Sequence, residues 1–110
     1  MVEELLRETI DKFNKKVESD PKLNAELQGL KKVIQVDITD GEQYHFILEN
    51  SRVGNLNKGP VQNPDIRIIG SADTLLQVSR GEMGVMKAYA TKKIQVKATL
   101  EDMLRLRKFF

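Results

Sequence analysis

The first part of the chain carries apolar side chains every three or four positions. These residues are Val2, Leu5, Leu6, Ile10, Phe13 and Val17. Because an α-helix repeats every 3.6 residues, this spacing predicts an amphipathic helix over residues 2–18. Asp20 followed by Pro21 predicts the start of a second, short helix, and Gly29 predicts its end.

From Lys32 onward the spacing changes to every second position, which is typical of half-buried strands. The alternating apolar residues are Ile34, Val36 and Ile38, and then Tyr44, Phe46 and Leu48. Because directly opposed residues of a hairpin share one face, the two apolar sets can meet only across a loop of odd length. We therefore predict a loop over residues 40–42, with Ile38 opposite Tyr44 and with His45 beside Asp37 on the other face.

The remaining segments continue the alternation of strands and helices. They are a weaker strand over residues 52–58, an irregular crossover, a strand over 65–69, a helix from Ser71 to Gly81, a helical turn over 85–90, a strand over 93–98 and a last helix after Thr99. The order is helix, three-strand antiparallel meander, crossover, strand, helix, strand, helix. It predicts an α+β fold with about five strands in a mostly antiparallel sheet and with the helices on one face.

Length and composition limit the function. A chain of 110 residues, 40% hydrophobic and 31% charged, predicts one globular domain over residues 1–110. A net charge of +2 is weak for a nucleic-acid partner, and we expect none. The absence of cysteine excludes disulfides and thiolate sites. The acidic start and the lack of a long apolar run predict a cytoplasmic protein.

The sequence offers little for catalysis. His45 is the only histidine, and it lies at a polar strand position, where it is typical of a solvated cross-strand partner. Histidine catalysis needs convergent acid or base partners, which the sequence does not place near it. Metal-ligand spacing and a phosphate-binding glycine loop are also missing. We therefore expect no enzymatic activity, no metal and no cofactor, with a small hydrolase or isomerase using His45 as the weakest alternative.

Apolar residues are concentrated in the last third of the chain. Met83, Val85, Met86, Ala88 and Tyr89 follow the helix that begins at Ser71, and further apolar residues recur in the last helix. Methionine adapts to irregular shapes, so the set fits both an ordinary core and a site for an apolar ligand. The pattern alone leaves both interpretations open.

Four runs in this region resemble one known family. They are residues 66–76, residues 80–83, residues 86–89 and residues 93–96. They contain a capped helix that ends at a glycine, an alanine followed by an aromatic residue, and a strand that begins with lysine. In their order and residue types these runs resemble the sterol carrier protein domain, the nonspecific lipid-transfer family. The resemblance covers roughly residues 30–110.

The resemblance implies non-catalytic binding, and transfer, of a long-chain lipid in a hydrophobic tunnel between sheet and helices. The ligand would be a fatty acid, a fatty acyl-CoA, a phospholipid or a sterol-like lipid. The residues that the resemblance assigns to the tunnel walls are Phe46, Leu48, Leu75, Leu76, Met83, Met86, Tyr89, Leu104 and Phe110. The alternative is a protein-interaction or dimerisation module with a filled core, and a homodimer is a further expectation.

Two physical arguments accompany this interpretation. An empty apolar tunnel of ~300 Å³ would cost about 7 kcal/mol, comparable with the stability of a whole domain. We therefore expect the interior to be filled by lipid, collapsed, or closed by a partner's C-terminal helix. The basic and apolar residues of the last helix, Arg105, Arg107 and Lys108 among them, predict transient contact with an anionic membrane.

Overall fold

The computed structural model describes residues 2–109, and it describes side chains over residues 3–105. Five helices and six strands form over this part of the chain. In chain order they are α1 (Val2–Ser19), α2 (Pro21–Leu27), β1 (Lys31–Ile38), β2 (Gln43–Glu49), β3 (Arg52–Val53), β4 (Asn57–Lys58), β5 (Ile66–Gly70), α3 (Ala72–Ser79), α4 (Val85–Ala90), β6 (Ile94–Lys97) and α5 (Leu100–Phe109).

The strands form a single sheet in the order β3-β2-β1-β5-β6, and β4 pairs with β2 beside β3. Each pairing is antiparallel except that of β1 with β5, which is parallel. The parallel pair arises because the crossover after β4 returns the chain to the free edge of β1. The α+β class and the mostly antiparallel sheet are confirmed.

The hairpin between β1 and β2 has the expected odd loop but not the expected register. Val36, not Ile38, lies opposite Tyr44. The loop comprises residues 39–41, because the Ile38 N–H donates to the Glu42 carbonyl oxygen at 3.2 Å. Tertiary contacts hold the turn there, since an Asp40 carboxylate oxygen accepts from the Ala72 N–H at 2.9 Å. A shift of two residues leaves every side chain on its predicted face.

The predicted third strand over residues 52–58 is wrong, because the chain forms two short strands there instead. Val53 and Leu56 are both buried although they lie three residues apart, which a continuous strand of period two does not allow. Asn50 and Ser51 both have positive φ, and they form the tight turn that joins β2 to β3. The Ser51 hydroxyl donates to the Asn24 carbonyl oxygen and ties this turn to α2.

Three helices begin at side-chain caps that the sequence predicts. A carboxylate oxygen of Asp20 accepts from two backbone N–H groups of α2, and the Ser71 hydroxyl accepts from the Thr74 N–H. The Thr99 hydroxyl accepts from the Asp102 N–H at 3.1 Å. Each cap satisfies donors that the first helical turn leaves free. Gly81 follows α3 with a φ of +76°, a conformation that side-chain-bearing residues rarely adopt.

The pairing separates the residues of the sheet into two faces. The inner face packs against the helices, and its central residues are Lys32, Ile34 and Val36 on β1, Tyr44, Phe46 and Leu48 on β2, Ile66 and Ile68 on β5, and Ile94 and Val96 on β6. The outer face carries the alternate residues, which are mostly polar. The helical layer therefore lies on one side of the sheet, as predicted.

Candidate functional site

The inner face has two halves that differ in how tightly they are covered. Over β1 and β2, which we call the closed half, α1 and α2 contribute Phe13, Val17, Leu23 and Leu27 to one buried cluster with Ile34 and Leu48. Over β5 and β6, which we call the open half, Ile66 and Ile94 are buried, whereas Ile68, Val96 and Ala98 stay half-buried. The cover of the inner face is therefore incomplete around these three residues.

The helices α3 and α4 are also loosely packed. Ala72 and Leu75 of α3 contact the buried cluster of Val36, Ile38, Tyr44 and Leu56 on and near β1 and β2. No residue of α3 is buried among the described side chains, although its apolar residues Leu75, Leu76 and Val78 are half-buried. Ala88 of α4 is fully buried, and its small side chain lets α4 lie close to β6. Met86 and Tyr89 on the same helix are 41% and 39% exposed. Large apolar side chains that ordinary core formation would bury are thus left accessible here.

Most of the predicted lipid-contacting residues lie on α3, on α4 or in the turn between them. Leu75, Leu76, Met83, Met86 and Tyr89 belong to this region, and α3 packs against α4. Leu104 of α5 is 55% exposed.

The remaining predicted residues are placed differently. Leu48 is buried in the closed half against α1 and α2, and Phe46 is half-buried between the two buried clusters. Phe110 lies outside the described residues. The sequence analysis selected Leu48 and Phe46 because the alternation of the strand places them on the inner face. That alternation does not distinguish residues of the closed half from residues of the open half.

α5 is attached to the sheet by charge. Asp102 is 1% exposed, and its carboxylate lies 3.2 Å from the Lys32 Nζ and 2.7 Å from an Arg105 guanidinium nitrogen. Arg105 also contacts the exposed Glu101 at 2.7 Å. We call Lys32, Asp102 and Arg105 the inner ion cluster. Sequence reasoning missed it, although Lys32 has the same strand phase as Ile34 and so had to face the helices.

The outer face carries a separate polar network around Asp37. This carboxylate is 6% exposed and accepts from the Gln35 amide at 2.7 Å, from the Gln43 amide at 3.0 Å and from the Arg67 guanidinium. A cleft of about 600 Å³ lies beside it, lined in part by Lys58 and Arg67. The charged side chains in this lining, those of Asp37, Glu42, Lys58 and Arg67, suit water or a small polar molecule better than an acyl chain.

Two ionisable groups near this cleft have displaced pKa values. Burial raises the pKa of the Asp37 carboxyl, but the hydrogen bonds from Gln35, Arg67 and Gln43 and the charge of Arg67 outweigh burial, so the pKa lies below its usual value. Burial raises the pKa of the Tyr44 phenol, and so does the neighbouring Glu42, which accepts the phenolic hydrogen at 3.1 Å.

The lowered pKa makes stability depend on pH. A carboxyl whose pKa is lower in the folded state stabilises the fold above its unfolded pKa of about 3.9, and this stabilisation is lost as pH falls through the folded pKa. We expect Asp37→Asn to be less stable than the wild type at pH 7 and the difference to shrink below about pH 4. Urea unfolding of both proteins between pH 7 and pH 2 measures it, and a difference constant over this range would contradict the assignment.

His45 does not lie where the sequence analysis expected. The register places it opposite Gln35, and Asp37 lies opposite Gln43. A His45 ring nitrogen, Nδ1, lies 2.9 Å from the Gly59 carbonyl oxygen. The expected pairing of His45 with Asp37 is therefore wrong, because the hairpin register is shifted by two residues.

The described residues contain neither a cluster of metal ligands nor a membrane-spanning helix. Among them, no group of three histidine, aspartate or glutamate side chains is arranged to hold a metal ion. None of the helices in this part of the chain combines the length and the apolar character that crossing a bilayer requires.

Comparison with known proteins identifies one family and several solved structures that share the fold of this chain. The model of the SCP-2 sterol transfer family matches residues 10–110. No curated protein matches the chain. Sterol carrier protein 2 from Aedes aegypti, solved in complex with palmitate, is 19% identical with a TM-score of 0.65, over 99% of this chain and 94% of that one. UbiJ-SCP2, a ubiquinone synthesis protein, is 13% identical with a TM-score of 0.66, over 91% and 80%.

A larger enzyme also contains the fold. The sec-alkylsulfatase Pisa1 from Pseudomonas sp. is 11% identical with a TM-score of 0.64, over 79% of this chain. This chain spans only 14% of the alkylsulfatase. At these identities the solved structures establish a shared fold.

Proposed function

This chain belongs to the SCP-2 sterol transfer family, and from that premise we propose that it binds a long-chain lipid without catalysis and transfers it. The open half of the inner face is the proposed site. The observation that carries the proposal is that large apolar side chains on α3 and α4 remain half-buried or exposed above a sheet that is tightly covered elsewhere.

An acyl chain is the ligand that this surface suits. Half-buried Ile68, Val96 and Ala98 would form one wall, and Leu76 and Met86 would form the other. Burial of apolar surface stabilises a complex by about 0.8 kcal/mol for each methylene removed from water. The palmitate bound by the Aedes aegypti protein supports a single-chain lipid of this kind. Fatty acyl-CoA, phospholipid and sterol-like lipids remain candidate ligands within the same proposal.

Lipid exchange would bring the protein to a membrane. Leu100 and Leu104 lie on α5 with 74% and 55% of their surfaces exposed, and they supply the apolar part of the transient contact that the sequence predicts. We expect the contact to favour anionic lipids because basic residues follow along the same helix.

Native mass spectrometry of freshly purified protein, followed by extraction and analysis of the lipid, tests the proposal. We expect one bound acyl lipid for each protein chain. Met86→Asp should reduce the bound fraction at least about tenfold, because a carboxylate would then be desolvated against the acyl chain.

A matched control separates the site from a general effect of added charge. Ile47→Asp introduces the same charge at a residue that is 38% exposed on the outer face, and it should retain the lipid. Folding of both variants is checked by circular dichroism. A bare protein that takes up no added lipid would overturn the proposal, and a bare dimer would favour the interaction module with a filled core.

A further inference from the structure

The described side chains of α5, those of residues 100–105, are arranged unusually for a helix that covers an apolar sheet. A helix of this kind normally turns its apolar residues inward and its charges outward. In α5 the carboxylate of Asp102 is buried, whereas Leu100 and Leu104 are exposed. The part of the inner face that Asp102 contacts therefore favours a negative charge over an apolar side chain.

Lys32 is the reason for this preference. It lies on the inner face opposite Leu48, its side chain is 24% exposed, and among the described residues Asp102 is its ion-pair partner. A cation that is three-quarters buried in an otherwise apolar layer is destabilising when it has no counter-ion. Arg105 approaches the same carboxylate from α5 itself, so that each Asp102 oxygen has its own cation.

We propose that Lys32 and Arg105 form an anion site for the carboxylate of a long-chain fatty acid, and that the Asp102 carboxylate occupies this site in the structure. The inference deepens the proposed function, on which it rests, by assigning the ligand's head group. Binding would exchange one carboxylate for another of the same shape and charge, with Asp102 moving outward together with α5.

The position of the cluster suits the length of an acyl chain. Lys32 lies at one end of the inner face, and Ile94 lies at the other, level with Ile38 through its pairing with Gly70. The levels of Lys32 and Ile94 are therefore six residue steps, about 20 Å, apart along the strand direction. A bilayer core of about 30 Å contains two opposed acyl chains, so that one chain extends about 15 Å. A chain with its carboxylate at Lys32 is thus short enough to end within the open half, before the level of Ile94.

A purely structural ion cluster is the competing explanation, and ligand preference distinguishes the two. The probes are palmitate and hexadecanol, which share one chain length but differ in the charge of the head group. We expect wild-type protein to bind palmitate at least about tenfold more tightly than hexadecanol, the effect of one charge-assisted hydrogen bond. Asp102→Asn should widen this preference by removing the competing carboxylate.

Removal of both cations should abolish the preference. Lys32→Met alone would leave Arg105 beside Asp102, so the decisive variant is the triple substitution Lys32→Met, Arg105→Gln and Asp102→Asn, which removes both cations of the site together with their shared counter-ion. We expect it to bind the two probes with similar affinity. Lys31→Met is the matched control, because Lys31 is the neighbouring residue, is 68% exposed and pairs with Glu49 on the other side of the sheet. It should retain the wild-type preference.

Binding is measured by titration calorimetry on the full chain, with folding checked for each variant. If the triple variant keeps the preference for palmitate, or if wild-type protein binds both probes equally, the anion site is overturned while lipid binding stands. If wild-type protein binds neither probe, the proposed function fails, and this inference fails with it.

Discussion

Replacing Leu27 with alanine is expected to lower the free energy of unfolding by about 2–5 kcal/mol. Leu27 is 0% exposed and joins α2 to the buried cluster of the closed half. Removal of its branched methyl groups leaves a cavity that surrounding side chains from α1 and the sheet cannot fill without moving. Urea unfolding followed by circular dichroism measures the loss.

The same chemical change in the C-terminal helix provides the control. Leu100 is 74% exposed on α5, so Leu100→Ala should change the free energy of unfolding by no more than about 0.5 kcal/mol. Equal losses in the two variants would show that the burial of Leu27 does not contribute to the stability of the fold. A large loss for Leu27→Ala alone would confirm that the buried cluster of the closed half stabilises the domain.

Replacing Asn14 with alanine is the second large change, with an expected loss of about 2–3 kcal/mol. Asn14 lies on α1 and is buried, yet its amide donates to the Val53 carbonyl oxygen at 3.0 Å and accepts from the Val53 N–H at 2.8 Å. The side chain thereby acts as a further strand partner for the edge of the sheet. Without it, a buried donor and a buried acceptor of β3 lose their partners.

Asn14→Asp tests the same contact through charge. The aspartate keeps an acceptor for the Val53 N–H but presents a second acceptor to the Val53 carbonyl, which is repulsive at pH 7. Once protonated, the carboxyl can donate again, so the deficit relative to wild-type protein should decrease as the pH falls below the pKa of the introduced carboxyl. Thermal unfolding at pH 7 and pH 4 measures this. A variant as stable as the wild type at pH 7 would show that the edge of the sheet does not depend on Asn14.

The elements and the face of each strand could be predicted because they depend on local spacing. Alternation with period two assigned Ile34, Val36 and Tyr44 to one face, and that assignment holds in the structure. The caps at Asp20 and Ser71 are equally local, since side chain and backbone are two or three residues apart. The family was recognisable for the same reason, because short runs of residue types in order carry the resemblance, and the family match confirms it.

The register of the hairpin and the parallel pairing could not be predicted, because they depend on partners distant in the chain. A loop of odd length can be centred on more than one residue and still keep the apolar side chains on one face. The contact of Asp40 with the start of α3 selects one of these registers. The pairing of β1 with β5 joins residues about thirty positions apart. Loop closure over such a separation is opposed by entropy, and only the packing of the completed sheet compensates for it.

For the candidate site, the sequence determined which residues are apolar and roughly which helices carry them. Only the tertiary structure decided which of them are covered, because exposure depends on what packs above each residue and not on its own type. Leu27 and Leu100 are the same residue in similar short helices, yet one is 0% and the other 74% exposed. Asp102 is buried because Lys32, seventy residues earlier, faces it across the helical layer.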